Sequence, residues 1–337
     1  MTTIALAGAG ELAVVHGLAA QALGLRVSHV ASSGPDDAAE RARQLGAQAC
    51  SIEELPAGAD LVIVTTPPPQ HASDVLRALR AGAAVLVDSP LASTLAEADA
   101  IVDAARDAGP VIYGEHLLFA PIVRAALARI CELGPIQRIE VRSLHPPAGR
   151  TAAGSERSPG VLVGVGAQPL AVALAFAAPA APTAVRARLE PDGDPMRAGY
   201  AEIELRFASG LVAVVVVSRR ERVPVWDLQV SSTTGVLRAE LLPTLALEHN
   251  GELVPVPAPS VVTEAPQLVQ FGYLAQLEAA AALAAGRRVE APDAHFGRLV
   301  VEVLSAAHRS AAEGSSWQDL PFDGPRDHTR LVRGSGP

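Results

Sequence analysis

A chain of 337 residues that is 49% hydrophobic and 19% charged has apolar material for two packed cores and too little charge for disorder. The net charge is −9 and all 27 basic residues are arginine, which argues against nucleic acid or an anionic membrane as a partner and excludes lysine chemistry. Cys50 and Cys131 stand apart, without a CxxC pair or Cys/His cluster, so they read as small buried hydrophobes in a reducing compartment rather than zinc ligands or a disulfide.

The opening MTTIALAGAG has no basic region and reaches glycines at once, so it is not read as a signal peptide, and a cytoplasmic protein is expected. Residues 3–8 form a short apolar strand, and Glu11 to Leu23 has helical character. There follow RVSHVAS as a strand, DDAAERARQLG as a helix and DLVIVTT as a strand, then the amphipathic HASDVLRALRAG. AAVLVDS, TLAEADAIVDAARDAG and PVIYGE continue the alternation. Strands apolar throughout, separated by helices, indicate a parallel sheet covered on both faces. This is an α/β Rossmann domain, assigned to residues 1–120.

After Pro121 the rhythm changes. A helix from Ile122 to Glu132 leads through Gly134-Pro135 to the strand QRIEVRSLH. No charged residue occurs between Ser158 and Val185, a length that suggests a membrane span. Pro169, Pro179 and Pro182 divide it, however, and its longest clean helical piece, Leu170 to Ala178, is too short to cross a bilayer. A buried helix is expected there. The strands TAVRARLE, YAEIELRF, LVAVVVVSR, VWDLQVSS, GVLRAEL and LALEHN come next, and helices over Val269–Ala285 and His295–Ala312 close the chain, with a loose tail after Phe322. Residues 121–337 therefore read as an α+β domain for substrate binding and oligomerisation. YAEIELRF alternates, with Ile203, Leu205 and Phe207 on one face and Glu202, Glu204 and Arg206 on the other. LVAVVVV does not alternate, so both of its faces need cover. One cover would be helices and the other a second subunit, so a homo-oligomer, a dimer or tetramer, is expected through this sheet.

Gly8-Ala9-Gly10-Glu11-Leu12-Ala13 fits G-x-G-x-x-G/A directly after a strand and opens a helix. Gly8 permits the tight turn, Gly10 lets a pyrophosphate approach the backbone, and Ala13 allows close helix–strand packing. Free N–H groups at the helix start would face the phosphates of NAD or NADP. Where the fingerprint expects an acidic residue for the ribose 2′-OH, the second strand ends in Ala31-Ser32-Ser33. Two hydroxyls without a carboxylate favour NADP weakly, and Arg41 and Arg43 could reach back. Thr65, Thr66, Pro67 and His71 follow an apolar strand, and the carboxyl-end rule turns that loop toward the cofactor. A histidine at a helix start is nonetheless more often a cap or packing residue than a catalyst.

With these residues placed, the chain resembles the Gfo/Idh/MocA oxidoreductase family. The likeness runs through IALAGAGELAVVH, DLVIVTTPPPQH, VLVDSPLAST, GEHLLFAP, GVLVGVGAQPLAVAL and FGYLAQLEAAAALAAGRRVEAPDAHFGRL. The resemblance implies a Rossmann domain joined to a large, open, mainly antiparallel sheet that commonly packs against another subunit. It also implies hydride transfer between NAD(P) and a small polar substrate such as a sugar or polyol. The family's Glu-Lys-Pro stands here as Asp88-Ser89-Pro90, assigned to the cofactor, and its Asp-x-Gly-x-His-Pro as Gly164-Val165-Gly166-Ala167-Gln168-Pro169. The lysine, aspartate and histidine that move a proton are replaced. Ser89 has no useful pKa for a base and Gln168 cannot titrate, although Gln168 can hydrogen-bond a substrate carbonyl or hydroxyl. His116, beside Glu115 at a strand end and titrating near neutrality when unperturbed, becomes the first candidate for acid/base work. Glu115 and His145 are the other candidates on the substrate side, and Asp88 is expected to bond backbone N–H groups. The alternative is a catalytically silent dinucleotide-binding sensor or complex-forming protein.

Overall fold

The computed structural model describes residues 2–55, 58–147, 160–191, 198–257 and 263–327. Part of the expected loose tail, residues 328–337, lies outside the described residues, as does the start of the uncharged stretch.

The first run of elements is β1 (Thr3–Ala7), α1 (Glu11–Ala22), β2 (Arg26–Ala31), α2 (Pro35–Leu45) and β3 (Gln48–Cys50). It continues with β4 (Leu61–Val64), α3 (Pro68–Arg80), β5 (Ala84–Asp88), α4 (Leu95–Ala108) and β6 (Val111–Gly114). The six strands form a sheet in the order β3-β2-β1-β4-β5-β6 with every neighbouring pair parallel. Strands β4, β5 and β6 are buried at every position, which is why they read as unbroken apolar runs. Local chemistry sets the helix ends. The Thr94 hydroxyl and the Glu97 carboxylate cap α4 reciprocally, and Gly46 ends α2 in the left-handed conformation. The chain lays β2 and β3 to one side of β1 and β4 to the other, so the strand order reverses at β1. Ligands of such sheets bind at that reversal, outside the carboxyl ends of the strands.

A 3₁₀ turn (His116–Phe119) leads to α5 (Pro121–Ala128), which is shorter than the expected helix and finishes in a second 3₁₀ turn at Ile130–Glu132. Next come β7 (Ile136–Leu144), α6 (Val161–Gly164), α7 (Ala167–Ala177), β8 (Pro182–Pro191), β9 (Ala198–Phe207) and β10 (Val212–Ser218). They are followed by β11 (Val225–Ser232), β12 (Val236–Leu242), β13 (Ala246–His249) and β14 (Glu252–Leu253). The last elements are α8 (Pro266–Gln270), α9 (Tyr273–Ala284), α10 (Ala294–Ala312) and β15 (Gln318–Asp319). Among the described residues the second sheet has nine strands in the order β14-β13-β12-β11-β7-β10-β9-β8-β15, antiparallel except where β10 runs parallel to β7. Helix α7 lies against β7 and β10 with Leu170, Val172, Leu174 and Phe176 buried. It has no charge because almost no part of it meets water, and among the described residues no helix is long and apolar enough to cross a membrane.

Strand β10 alternates in burial although not in sequence. Ala213, Val215 and Val217 are fully buried, while Val212, Val214 and Val216 are half-buried on the opposite face. On that face Val214 lies between Glu204 and Glu140, and Val216 between Glu202 and Arg142. These long side chains pair outward, as Arg186 does with Glu204 at 2.6 Å, and their stems screen the valines.

Packing divides the chain into one unit of residues 1–120 with 259–301 and another of residues 121–258 with 302–337. The sequence reading assigned everything after residue 120 to the second domain. Helices α8 and α9 instead pack with the first unit, where the apolar α9 lies against α1, β5 and the 3₁₀ turn after β6. The single helix expected over Val269–Ala285 is split at Gly272, whose φ is +85° and whose missing Cβ would lie 2.2 Å from the His116 carbonyl oxygen. The cysteines also differ from expectation. Cys131 is exposed in a surface 3₁₀ turn and Cys50 is half-buried on β3, because one ends a helix at the surface and the other occupies an edge strand.

Candidate functional site

Strand β1 passes to α1 through Gly8-Ala9-Gly10. Gly8 has φ +121°, and a Cβ there would meet Thr65 Oγ1 at 2.4 Å and the Thr65 carbonyl carbon at 2.8 Å, so no side chain fits. Its N–H donates to the Ala31 carbonyl at 2.8 Å, and the Thr65 N–H donates to the Ala7 carbonyl at 2.7 Å. The ends of β1, β2 and β4 are thereby tied into one rim. Gly10 is exposed, and apart from its chain neighbours no described atom lies within 4 Å of where its Cβ would stand. No side chain caps α1, so its first-turn N–H groups are left for a ligand. Ala13 is fully buried beneath them, Glu11 is exposed, and Leu12 shows 40% of its surface at the rim. Open space, bare main chain and a helix N-terminus fit the diphosphate of a dinucleotide.

Toward the ribose end, Ser32 Oγ accepts the Gly34 N–H at 3.2 Å and Ser33 is exposed. Arg41 reaches back from α2, its Nε donating to the Ala9 carbonyl at 3.1 Å, which sets a guanidinium beside the glycine turn. The first turn of α2 also carries Asp36 and Asp37, two carboxylates that the sequence reading did not weigh.

The loop after β4 is spent largely on its own shape. Thr65 Oγ1 donates to the Ala7 carbonyl at 3.2 Å, Thr66 Oγ1 donates to Asp74 at 2.8 Å, and the exposed Pro67 precedes α3. His71 is buried, with Nδ1 2.8 Å from the Pro90 carbonyl and Nε2 2.7 Å from the Thr66 carbonyl. Burial pushes its pKa down, while the two carbonyls and the Asp88 and Asp74 charges push it back up. His71 thus holds the loop after β4 to the loop after β5 and is itself closed to a ligand.

A polar cluster gathers at the ends of β5 and β6. Asp88 is buried with Oδ1 3.1 Å from His16 Nε2 of α1, so its partner is an imidazole and not the backbone N–H groups expected. Ser89 is half-buried and shares a 2.6 Å hydrogen bond with the phenol of Tyr113, which is fully buried. Burial, and then the charge of Glu115, holds the Tyr113 hydroxyl far above its ordinary pKa, so the phenol stays neutral. Glu115 is fully buried, and its Oε1 accepts the Leu117 N–H at 3.2 Å. Burial raises its pKa to about 8, with the Asp88 charge adding to the rise and the Leu117 bond opposing it. His116 Nδ1–H donates to the Phe271 carbonyl at 2.7 Å, and its ring stacks on Tyr273 with centroids 4.1 Å apart. Burial pushes His116 down to about 4. The premise of near-neutral titration therefore does not hold for His116, and in this cluster Glu115 is the group brought near neutrality. Tyr273 also meets the edge of His16 at 5.9 Å, and burial raises its hydroxyl pKa.

His16, Tyr113 and Tyr273 escaped the sequence reading. Tyr113 could have been found two residues before Glu115, where strand alternation turns both side chains to one face. His16 lies one turn past Ala13 and so shares its inward face. Tyr273 is far away in sequence and gives no local signal.

Two candidates belong to the other unit. His145 is half-buried at the end of β7, its Nε2 2.9 Å from Ser143 Oγ, and burial followed by the charge of Arg219 lowers its pKa. Gln168 is half-buried in the first turn of α7.

Comparison with known proteins bears on the fold and on the glycine turn. A family model described as an oxidoreductase family with an NAD-binding Rossmann fold (Gfo/Idh/MocA) matches residues 2–116. The match lies within the parallel-sheet domain, which is thus similar to the Gfo/Idh/MocA oxidoreductase family. A 1,5-anhydro-D-fructose reductase from Ensifer adhaerens is 38% identical over 104 residues, a stretch covering 30% of this chain and 31% of that relative. Among solved structures, GenD2 from gentamicin A biosynthesis, in complex with NAD, superposes with a TM-score of 0.81 at 21% identity, covering 95% of this chain and 96% of that one. A putative myo-inositol dehydrogenase from Sinorhizobium meliloti 1021 gives a TM-score of 0.81 at 22% identity, covering 95% of this chain and 100% of that one. The WlbA dehydrogenase from Bordetella pertussis gives 0.82 at 17% identity over 96% and 98%. These structures share the fold, including the large second sheet that the resemblance implied.

Proposed function

We propose that the protein is an NAD(P)-dependent oxidoreductase that moves a hydride to or from a small polar substrate, a sugar, polyol, carbonyl or imine. The observation that carries this reading is the open main-chain cradle at Gly10 and the α1 N-terminus, set at the strand-order reversal of a parallel sheet. The dinucleotide would supply the hydride donor or acceptor. The chain's own part is binding and polar orientation. Main chain at Gly8–Ala13 would hold the diphosphate. When Tyr113 donates to Ser89, the Ser89 O–H can donate outward; when Ser89 donates to Tyr113, its oxygen can accept. Ser89 is therefore a neutral contact of either polarity, suited to orienting a ligand and unsuited to taking a proton. Gln168 and His145 are the further candidates on the substrate side, whereas Glu115, fully buried, is not read as a direct substrate contact. His116, neutral near pH 7, would act as a polar or stacking group rather than as an acid.

NADP is the preferred coenzyme in this reading, supported by Ser32, Ser33 and the guanidinium of Arg41 beside Ala9, and opposed by Asp36 and Asp37. The second unit would serve substrate binding and assembly, the valine seam of β10 being the surface for a second copy. A cytoplasmic location accompanies the reading. A catalytically silent dinucleotide sensor or complex-forming protein is the second reading, favoured by serine, glycine and glutamine standing where the family places its proton-moving lysine, aspartate and histidine.

Fluorescence titration with NADPH and NADH, followed by turnover assays across sugars, aldehydes and imines, tests both. Tight binding with turnover supports the enzyme, and tight binding without turnover supports the silent protein. Gly10→Val should weaken dinucleotide binding by tenfold or more, about 1.4 kcal/mol, because its side chain enters the space for the diphosphate. A variant that binds as well as the parent removes the site assignment.

A further inference from the structure

Polar side chains of the first unit come together from several elements beneath the ends of β5 and β6. Asp88 pairs in register with Gly114, the residue before Glu115, so the two carboxyls occupy adjacent strand ends. Both are buried, as is His16. Asp88 Oδ2, Glu115 Oε2 and His16 Nδ1 have no partner among the described residues. One turn beyond Tyr273 on α9, Gln276 is 0% exposed, and neither of its amide atoms has a partner among the described residues either. The titratable groups around Glu115 are His16 from α1, Asp88 from β5, Tyr113 from its own strand, His116 from the 3₁₀ turn and Tyr273 from α9. Among the described residues these groups include no arginine.

Two carboxyls this close in a buried place resist double ionisation. Asp88 has an imidazole at 3.1 Å, whereas Glu115 has a single amide N–H at 3.2 Å. The less supported group keeps the proton. We propose that Glu115 is a positioning residue that stores one proton and releases it when an oxidised nicotinamide, which is cationic, binds at the carboxyl ends of β5 and β6. The proposal rests on the dinucleotide reading above. A positive ring near the strand ends favours the Glu115 carboxylate, and a neutral reduced ring does not. On binding the oxidised coenzyme, the Glu115 carboxylic acid becomes a carboxylate and its proton passes to solvent. Oxidation of the substrate would send its carbon's hydride to the oxidised ring and its hydroxyl proton to solvent; with the positive charge gone, Glu115 takes one proton back from solvent, closing the balance. Glu115 itself touches no substrate.

The test is calorimetry of NADP⁺ and NADPH binding to the full chain, in buffers of different ionisation enthalpy about one pH unit below the Glu115 value of about 8. Wild type should release about one proton with the oxidised form and none with the reduced form. Its affinity for NADP⁺ should rise by up to about tenfold per pH unit and level off above pH 8, whereas Glu115→Gln should release no proton and show a flat profile. Equal proton release by Glu115→Gln, or equal release with both coenzymes, overturns the proposal. Infrared titration of unliganded wild type adds a readout that needs no variant, because a protonated-carboxyl band should be present near neutrality and fade as the pH rises past 8. Its absence near neutrality removes Glu115 as the store. If neither coenzyme binds wild type, the dinucleotide reading fails together with the trigger, while the infrared band still reports whether Glu115 holds a proton.

Discussion

At the residue scale, the hydrogen bond between Ser89 and Tyr113 shows how burial makes two partners unequal. Tyr113 is fully buried and Ser89 is half-buried. Tyr113→Phe leaves Ser89 able to reach water, so the loss should be about 0.5–1.5 kcal/mol. Ser89→Ala leaves a buried phenol without a partner and should cost more, about 1–3 kcal/mol. Urea denaturation of the two variants measures the difference, and equal losses would show that Tyr113 finds another partner. The glycine turn was legible in the sequence because every demand it meets is local: a tight turn, a close approach and a small residue one turn on. His116 was misread because its titration depends on burial and on the Phe271 carbonyl, and no local pattern reports either.

At the element scale, Gly272 sets where α9 begins and how closely it approaches the turn after β6. Its left-handed φ and the 2.2 Å approach of the His116 carbonyl to the missing Cβ leave no room for alanine. Gly272→Ala should cost at least ~2 kcal/mol and disturb the stacking of Tyr273 on His116, readable as a lower unfolding midpoint and altered near-ultraviolet tyrosine dichroism. A fully stable variant would mean that the segment can shift. The apolar periodicity over Val269–Ala285 was correctly helical but could not reveal the break, since a glycine inside an apolar run also suits a continuous helix. β10 is the reverse case. Its sequence is apolar at every position from Val212 to Val217, and only the strands beside it decide that one face meets a core and the other a row of ion pairs.

For the whole molecule, two shifted groups give stability a shaped dependence on pH. Glu115 is raised to about 8, so between its ordinary value and 8 the folded state holds a proton that the unfolded chain has lost. That contribution is full in acid and is lost as pH rises. His116 is lowered to about 4 from 6.5, so the unfolded chain takes a proton that the folded state refuses, and that contribution is lost as pH falls below 6.5. Between about pH 6.5 and 8 Glu115 dominates, and stability should fall by up to ~2 kcal/mol; Glu115→Gln should remove the slope in denaturant titrations across that range. Assembly gives a second prediction. Val214→Arg places a charge in the middle of the valine seam, where Glu204 and Glu140 can receive it, so the single chain should lose less than ~1 kcal/mol. If the seam joins two copies, sedimentation should show the variant dissociating, and an unchanged mass would move the interface elsewhere.

The sequence alone determined the parallel α/β domain, the glycine turn and the buried helix in place of a membrane span, because hydrophobic period and turn chemistry act over a few neighbouring residues. It also foresaw a second, strand-rich domain. Only the tertiary structure decided that helices α8 and α9 pack with the first unit, that Asp88 bonds His16, and that Glu115 rather than His116 is brought near neutrality. Those outcomes depend on burial and on charges carried by elements far apart in the chain, and such terms exist only once the chain has folded.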